Sequence, residues 1–275
     1  MPWGRANRHD LRVLDDVTLA RLAHLNYLEF GRQSTLWSDR GQVRDVDGVT
    51  LFASGTDFPF VFNGVFRNDP AADPAQVLAQ ADAFFEQWSR GYTLVTGPDD
   101  EDLAAHAEAQ GLWAFADAPE MVCRERLSDV GPPAGVDLRR ATDEAGIADF
   151  VAVGSAAYPS LGMPDTAMGE AIDRYDRVLE PHVAVVVAYD GDAPVAAAQA
   201  MLSHGIAGVY WVGTLEAARG KGLGEAVCRW VTNWAFDQGA AAQSLQASTM
   251  GEPIYARMGY ETIHRYQSWF RSSDR

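Results

Sequence analysis

Residues 219–224, Arg-Gly-Lys-Gly-Leu-Gly, put three glycines and two cations where an apolar run ending at Thr214 gives way to an amphipathic stretch of helical period. A strand-to-helix join of this kind leaves backbone N–H groups uncovered at the positive end of a helix dipole, which suits a phosphorylated ligand. Glycine at 220, 222 and 224 removes the side chains that would hold a diphosphate away from the amides. Arg219 and Lys221 add positive charge to that pull, or else form an ordinary solvated loop. A favourable charge at a helix end contributes roughly 0.3–1 kcal/mol.

Two common phosphate loops do not fit. A P-loop needs G-x-x-x-x-G-K followed by Ser or Thr, but Gly220-Lys221 is followed by Gly222, and Leu215 stands five before Gly220. A dinucleotide fingerprint needs G-x-G-x-x-G, and Glu225 occupies the place of its third glycine. What remains is Arg219-x-x-Gly222-x-Gly224 between a strand and a helix. Downstream come Leu-Gln-Ala-Ser at 245–248 and Pro-Ile-Tyr-Ala-Arg-Met-Gly-Tyr-Glu at 253–261; upstream, Val-Asp-Leu-Arg-Arg-Ala-Thr at 136–142 reads as a first strand and turn. In this order the motifs resemble the GNAT superfamily, the acyl-coenzyme A-dependent N-acyltransferases, and the resemblance covers about residues 136–271.

The resemblance implies acetyl-coenzyme A as cosubstrate and an amine as acceptor, the acyl group passing by direct attack in a ternary complex. It implies that Arg219, Gly220, Lys221, Gly222, Leu223 and Gly224 hold the pyrophosphate. The backbone of Trp211, Val212, Gly213 and Thr214 would bond the pantetheine arm at a splayed, bulged strand, although the side chains of Trp211 and Val212 read equally well as core. Tyr255 matches the tyrosine that protonates the departing thiolate; its plain alternative is helix–sheet packing. Ser248 falls where the family often places a polar group near the arm, and it could as well be a cap or turn residue. The central strands offer Tyr210 and Trp211 but no carboxylate for a general base, and no spacing singles out Asp165, Glu170 or His204. The alternatives are an interaction protein with both sites worn out, which would show no ligand stabilisation, and a coenzyme A-binding sensor without turnover. The sensor would keep residues 219–224 and tolerate loss of Tyr255.

The elements that must position these residues are legible from period. Leu223, Ala226, Val227, Trp230, Val231, Trp234 and Ala235 recur at spacings of three and four, one stripe that must pack on a sheet. Ahead of that helix, residues 182–189, 194–202 and 208–214 read as an antiparallel meander, turned at Asp190-Gly191-Asp192 and His204-Gly205.

A length of 275 residues is close to twice that of one such domain, and Ser-Asp-Val-Gly-Pro-Pro-Ala-Gly at 128–135 reads as a linker. The expected architecture is α/β (α+β), with two tandem GNAT-like domains at 1–127 and 136–275, each a mixed, mostly antiparallel sheet flanked by helices. In the first half, residues 49–55 and 58–66 read as a hairpin, and Val77, Leu78, Ala81, Phe84, Phe85 and Trp88 share a helix face. A strand at 92–96 and a helix from Asp99 lead to Gly111. Gly64 to Gly111 spans 47 positions and Gly213 to Gly259 spans 46, which supports an internal repeat, with an unrelated α/β domain as the alternative. The first copy is degenerate: residues 67–74, Arg-Asn-Asp-Pro-Ala-Ala-Asp-Pro, lack glycine, and the helix at 103–110 has His106 but no tyrosine. Its expected work is to shape the acceptor cleft, with Asn26, Tyr27, Glu29 and Arg32 either lining that cleft or forming a solvated helix face.

Composition narrows the classes further. A formal charge of −16 argues against a nucleic-acid surface, and no apolar run approaches a membrane span. Two cysteines, Cys123 and Cys228, and six histidines at no ligand spacing give no metal site. The start Met-Pro-Trp-Gly-Arg, followed by His9, lacks the apolar core of an export signal, so the expected location is cytoplasmic. A small-molecule or peptide amine is the expected partner, and the protein itself a monomer or homodimer.

Overall fold

The computed structural model describes residues 14–273; the start of the chain, including His9, lies outside the described residues. The first half runs α1 (Asp16–Thr35), β1 (Gln42–Val46), β2 (Val49–Ala53), β3 (Asn63–Arg67), α2 (Pro74–Glu86), β4 (Tyr92–Thr96), α3 (Glu101–Ala109) and β5 (Trp113–Cys123). The second runs β6 (Val136–Arg140), α4 (Glu144–Ala157), α5 (Ala167–Ala171), α6 (Tyr175–Val178), β7 (Val183–Asp190), β8 (Ala193–Ser203), β9 (Ile206–Thr214), α7 (Leu223–Asp237), β10 (Gln243–Gln246), α8 (Glu252–Met258) and β11 (Glu261–Arg271).

All eleven strands form one sheet in the order β1-β2-β3-β4-β11-β5-β10-β9-β8-β7-β6. Each half contributes one parallel β-α-β crossover, β3-α2-β4 and β9-α7-β10, and the remaining pairings are antiparallel. The last strand of each half is exchanged: β11 pairs with β4 of the first half, and β5 pairs with β10 of the second. At the centre β5 and β11 lie side by side. The halves therefore share a continuous sheet. Sequence reading treats the break at 128–135 as an edge between separate sheets, because period reveals strands and not their partners.

Alternation along the strands sorts the second half into two cores. Ala184, Val186 and Ala188 of β7 join Ala196, Ala198 and Ala200 of β8 on the α7 face. Val183, Val185 and Val187 face α4, α5 and Phe30 of α1. Small alanines let α7 sit close, and burying Leu223, Val227 and Val231 contributes roughly 1.5–3 kcal/mol apiece. Asp47-Gly48 and His204-Gly205 make tight hairpin turns with both residues at positive φ.

One strand is unexpected, and one expected strand is revised. β1, with its charged pattern Gln-Val-Arg-Asp-Val, carries no apolar run that would mark it. The strand expected at 58–66 is confined to β3. Residues 54–62 form instead a loop held by Asn63, whose Nδ2 donates to the carbonyls of Thr56 (3.3 Å) and Phe58 (3.1 Å).

Candidate active site

The meander ends in a bulge. Gln199 on β8 pairs with Tyr210 and Ala197 pairs with Gly213, so Trp211 and Val212 face a single residue. Trp211 is forced to φ 54°, a conformation that costs a bulky side chain about 1–3 kcal/mol. Tyr158, at the end of α4, fixes the distortion by donating from its hydroxyl to the Val212 carbonyl (3.2 Å) and packing edge-on to Trp211. On the other side β10 pairs with β9 only at Ala207 and Gly208. From Val209 onward the two parallel strands diverge, leaving a backbone edge beside a groove.

That groove, about 450 Å³, runs from Gly220, Gly222 and Gly224 past Val212 and Gly213 to Ser248 and Tyr255. Gly222 caps α7 at φ 77° with no side-chain hydrogen bond to the helix N-terminus, and Gly220 is also left-handed at 76°. The first half provides an internal contrast. There the Asp73 carboxylate occupies the N-terminus of α2, accepting from Ala75 N (2.9 Å) and Gln76 N (3.1 Å). β3 stays paired with β4 along Gly64, Val65 and Phe66, and buried Arg67 is clamped by Asp100 (2.7 Å) and Asp102 (2.7 Å). The first copy of the groove is closed by its own side chains.

The structure gathers Val212, Gly213, Thr214, Arg219, Gly220, Gly222, Leu223, Gly224, Ser248 and Tyr255 along this one groove. Lys221 is exposed and does not line it. Trp211 does not line it either; its ring belongs to the neighbouring cavity, stacked on Phe62 at 5.3 Å. Arg219 is committed to the protein, donating to the carbonyls of Thr214 (3.2 Å) and Ala157 (3.2 Å) and to Ser160 Oγ (2.8 Å). It braces the loop against α4. Both readings of Ser248 hold in part: it lines the groove, and its Oγ accepts from Gly251 N (3.1 Å) in the turn before α8.

Tyr255 lies at the groove's inner end, and among the described residues its hydroxyl has no protein partner. Burial, with Cys228 and Tyr158 as smaller contributors, holds its pKa well above the ordinary phenol value, so the hydroxyl keeps its proton. Gly251 makes room for this ring, since a Cβ there would stand 2.7 Å from Tyr255 Cε2. Gly251 has φ −80°, so alanine brings no backbone strain. Gly251→Ala is therefore expected to displace the ring and lower turnover about 10-fold, against ~10²-fold for complete loss of a general acid. Steady-state kinetics check this, and an unchanged kcat would mean that the ring position does not matter.

Beyond Tyr255 the groove opens into a second cavity of about 570 Å³; the two share Tyr158, Leu161, Val212, Ser248 and Tyr255. Much of its wall comes from the first half, including Tyr27, Phe58, Phe60 and Phe115. Of the four α1 residues considered above, Tyr27 lines this cavity. Asn26 is fully buried rather than solvated, donating to the Met201 carbonyl (3.1 Å) and accepting from the Tyr210 hydroxyl (2.7 Å). Glu29 and Arg32 remain half-buried, with Arg32 paired to Asp45.

The carboxylate missing from the central strands is Glu120 on the exchanged strand β5. It is fully buried, and its Oε2 accepts from Gln246 Nε2 (2.6 Å), a side chain that lines the second cavity. Its Oε1 has no partner among the described residues. Burial pushes its pKa up to about 8, with the Gln246 hydrogen bond opposing. No sequence signal could have found it, because strand exchange alone brings Glu120-Met121-Val122-Cys123 to β10.

Among the described residues no helix is long and apolar enough to cross a membrane, and no group of three or more His, Cys, Asp or Glu could hold a metal. Residues 181–262 match the family described as Acetyltransferase (GNAT) domain. Over 78 residues the chain is 30% identical to an uncharacterized N-acetyltransferase, YjcF, of Bacillus subtilis (strain 168). That stretch is 28% of this chain and 56% of the relative, so the likeness spans little more than half of that protein. Among solved structures, the chain is similar to a GCN5-related N-acetyltransferase from Kribbella flavida, with TM-score 0.68 and 21% identity over 91% of this chain and 94% of that one. A tandem GNAT protein from the clavulanic acid biosynthesis pathway matches over 96% and 97% of the two chains, with TM-score 0.58 and 13% identity.

Proposed function

We propose that this chain, whose residues 181–262 match the GNAT acetyltransferase domain and whose fold over 91% of its length is similar to that of a GCN5-related N-acetyltransferase, moves an acetyl group from acetyl-coenzyme A to an amine. The observation that carries the reading is one continuous groove, from an uncapped helix N-terminus to a buried, protonated tyrosine. In this reading the N–H groups of residues 222–224 take the pyrophosphate, and the pantetheine arm lies along the open edge of β9. Backbone N–H groups at the bulge hold the thioester oxygen. The amine nitrogen attacks the thioester carbon from the second cavity, and its excess proton passes through one water to Glu120 in its ionised form, which with a pKa of about 8 is the minor form at neutral pH and grows as pH rises. As the tetrahedral intermediate collapses, the C–S bond breaks and Tyr255 protonates the thiolate. Residues 1–127 and 136–275 act as two tandem units joined at 128–135, of which only the second binds coenzyme A. The buried free thiols of Cys123 and Cys228 suit a reducing cytoplasm.

Thermal unfolding with and without acetyl-coenzyme A tests the reading on the native protein and on Gly222→Asp. Ligand at about 100 times its dissociation constant should add roughly 2.7 kcal/mol of stability. An aspartate at the helix start would put a carboxylate where Asp73 sits in the first half, so the shift should vanish in the variant. No shift in the native protein would sink the transferase reading.

A further inference from the structure

The cavity beyond Tyr255 has a chemistry of its own. Among the described residues, none that lines it is Asp, Glu, Lys, Arg or His, in a chain of net charge −16. Its walls are aromatic and come from both halves. Phe60 meets Phe58 at 5.3 Å and Phe115 at 4.6 Å, while Trp211 stacks on Phe62 and meets Tyr158 edge-on. At the rim, Val61, Trp113 and Leu161 are 59%, 62% and 53% exposed, an apolar mouth on an otherwise acidic molecule. Val61 and Trp211, the two bulky apolar side chains at positive φ among the described residues, both line it. Strain of this kind survives where the surroundings enforce it and clusters at ligand sites.

We infer that the acceptor is a primary amine carried on a small aromatic or flat apolar body, and that the first half supplies the surface that recognises it. This rests on the transferase reading above. The volume, about 570 Å³, fits a small molecule and not a folded partner. A polycation such as a polyamine or aminoglycoside needs several wall carboxylates, and the lining has none. A single ammonium is served by aromatic faces. Glu120, buried and hydrogen-bonded to the Gln246 side chain in the cavity wall, is a single carboxyl group that, once ionised, can take the one proton a single amine must lose.

Initial rates with saturating acetyl-coenzyme A test this against phenethylamine, spermidine, kanamycin and a lysine-containing tetrapeptide. Phenethylamine should exceed the others at least 10-fold in kcat/KM. Phe60→Asp and Phe115→Asp should each raise its KM about 10-fold while leaving the thermal shift with acetyl-coenzyme A unchanged. Preference for any of the other three overturns the inference and leaves the transferase reading standing. If none is acetylated, calorimetric titration of phenethylamine into the protein decides. Binding that Phe60→Asp abolishes supports the inference, and no binding overturns it. Failure of acetyl-coenzyme A to stabilise the native protein is a separate outcome, which removes the transferase reading first.

Discussion

Tyr255→Phe should lower acetyl transfer about 10²-fold, within the ~10²–10⁴ contributed by general acid–base groups, and should leave the thermal shift with acetyl-coenzyme A intact. The change deletes one oxygen, at a hydroxyl that makes no hydrogen bond to the protein among the described residues. Packing against Tyr260, at 5.9 Å, is kept by the phenylalanine ring, so the fold has no reason to respond. What is lost is a proton donor at the groove's inner end, kept protonated by burial. Because that pKa stands well above 10, the native rate should show no loss from Tyr255 ionisation up to about pH 9, where an unperturbed phenol of pKa near 10 would begin to ionise. Turnover unchanged in the variant would reduce Tyr255 to a packing residue. Binding without turnover in the native protein would favour the sensor.

What sequence could and could not disclose follows from the range of the forces involved. The stripe on α7, the meander β7-β8-β9 and the glycines at 220–224 are local features, written by period and by conformational need, and they emerge where expected. The bulge could be placed only through the family resemblance, because Trp211 and Val212 look like any buried strand pair; its physical mark is a register shift against β8. The position of Arg219 in sequence suggested a phosphate ligand, yet the end of α4, some sixty positions away, supplies the acceptors that hold it. The aromatic cavity and Glu120 were invisible for a stronger reason. Each depends on β5 and β11 changing places, and strand exchange leaves no trace in hydrophobic period. Asn26 shows the same limit: a polar residue on a helix reads as solvated until a tyrosine from another strand bonds to it.

Glu120→Gln should separate stability from catalysis. A carboxylate with a folded pKa of about 8 binds a proton in the folded state at pH values where the unfolded chain, with a carboxylate pKa near 4.3, does not. Between those two values the folded protein holds more protons, so the native protein loses stability as pH rises from about 4.3 to about 8 and little more above that. Among the described residues no cation offsets the cost: Tyr27, Tyr210 and Tyr266 around it are neutral phenols with raised pKa, and His24 and His264 are lowered by burial. Glutamine has the same shape and still accepts from Gln246, but it never ionises. The variant should therefore be more stable than the native protein at pH 8, by an amount on the order of a few kcal/mol, with the difference vanishing near pH 4. Chemical denaturation across that range measures it. Activity should move the other way, with kcat/KM falling about 10²-fold or more and the inflection near pH 8 disappearing from its pH profile. A stabilised variant with undiminished turnover would leave Glu120 a structural cost alone, and would require the acceptor's proton to leave by water without it. A loss of both would make Glu120 a structural residue of the exchanged sheet, since only a carboxylate that serves the chemistry should make the fold weaker and the reaction faster at once.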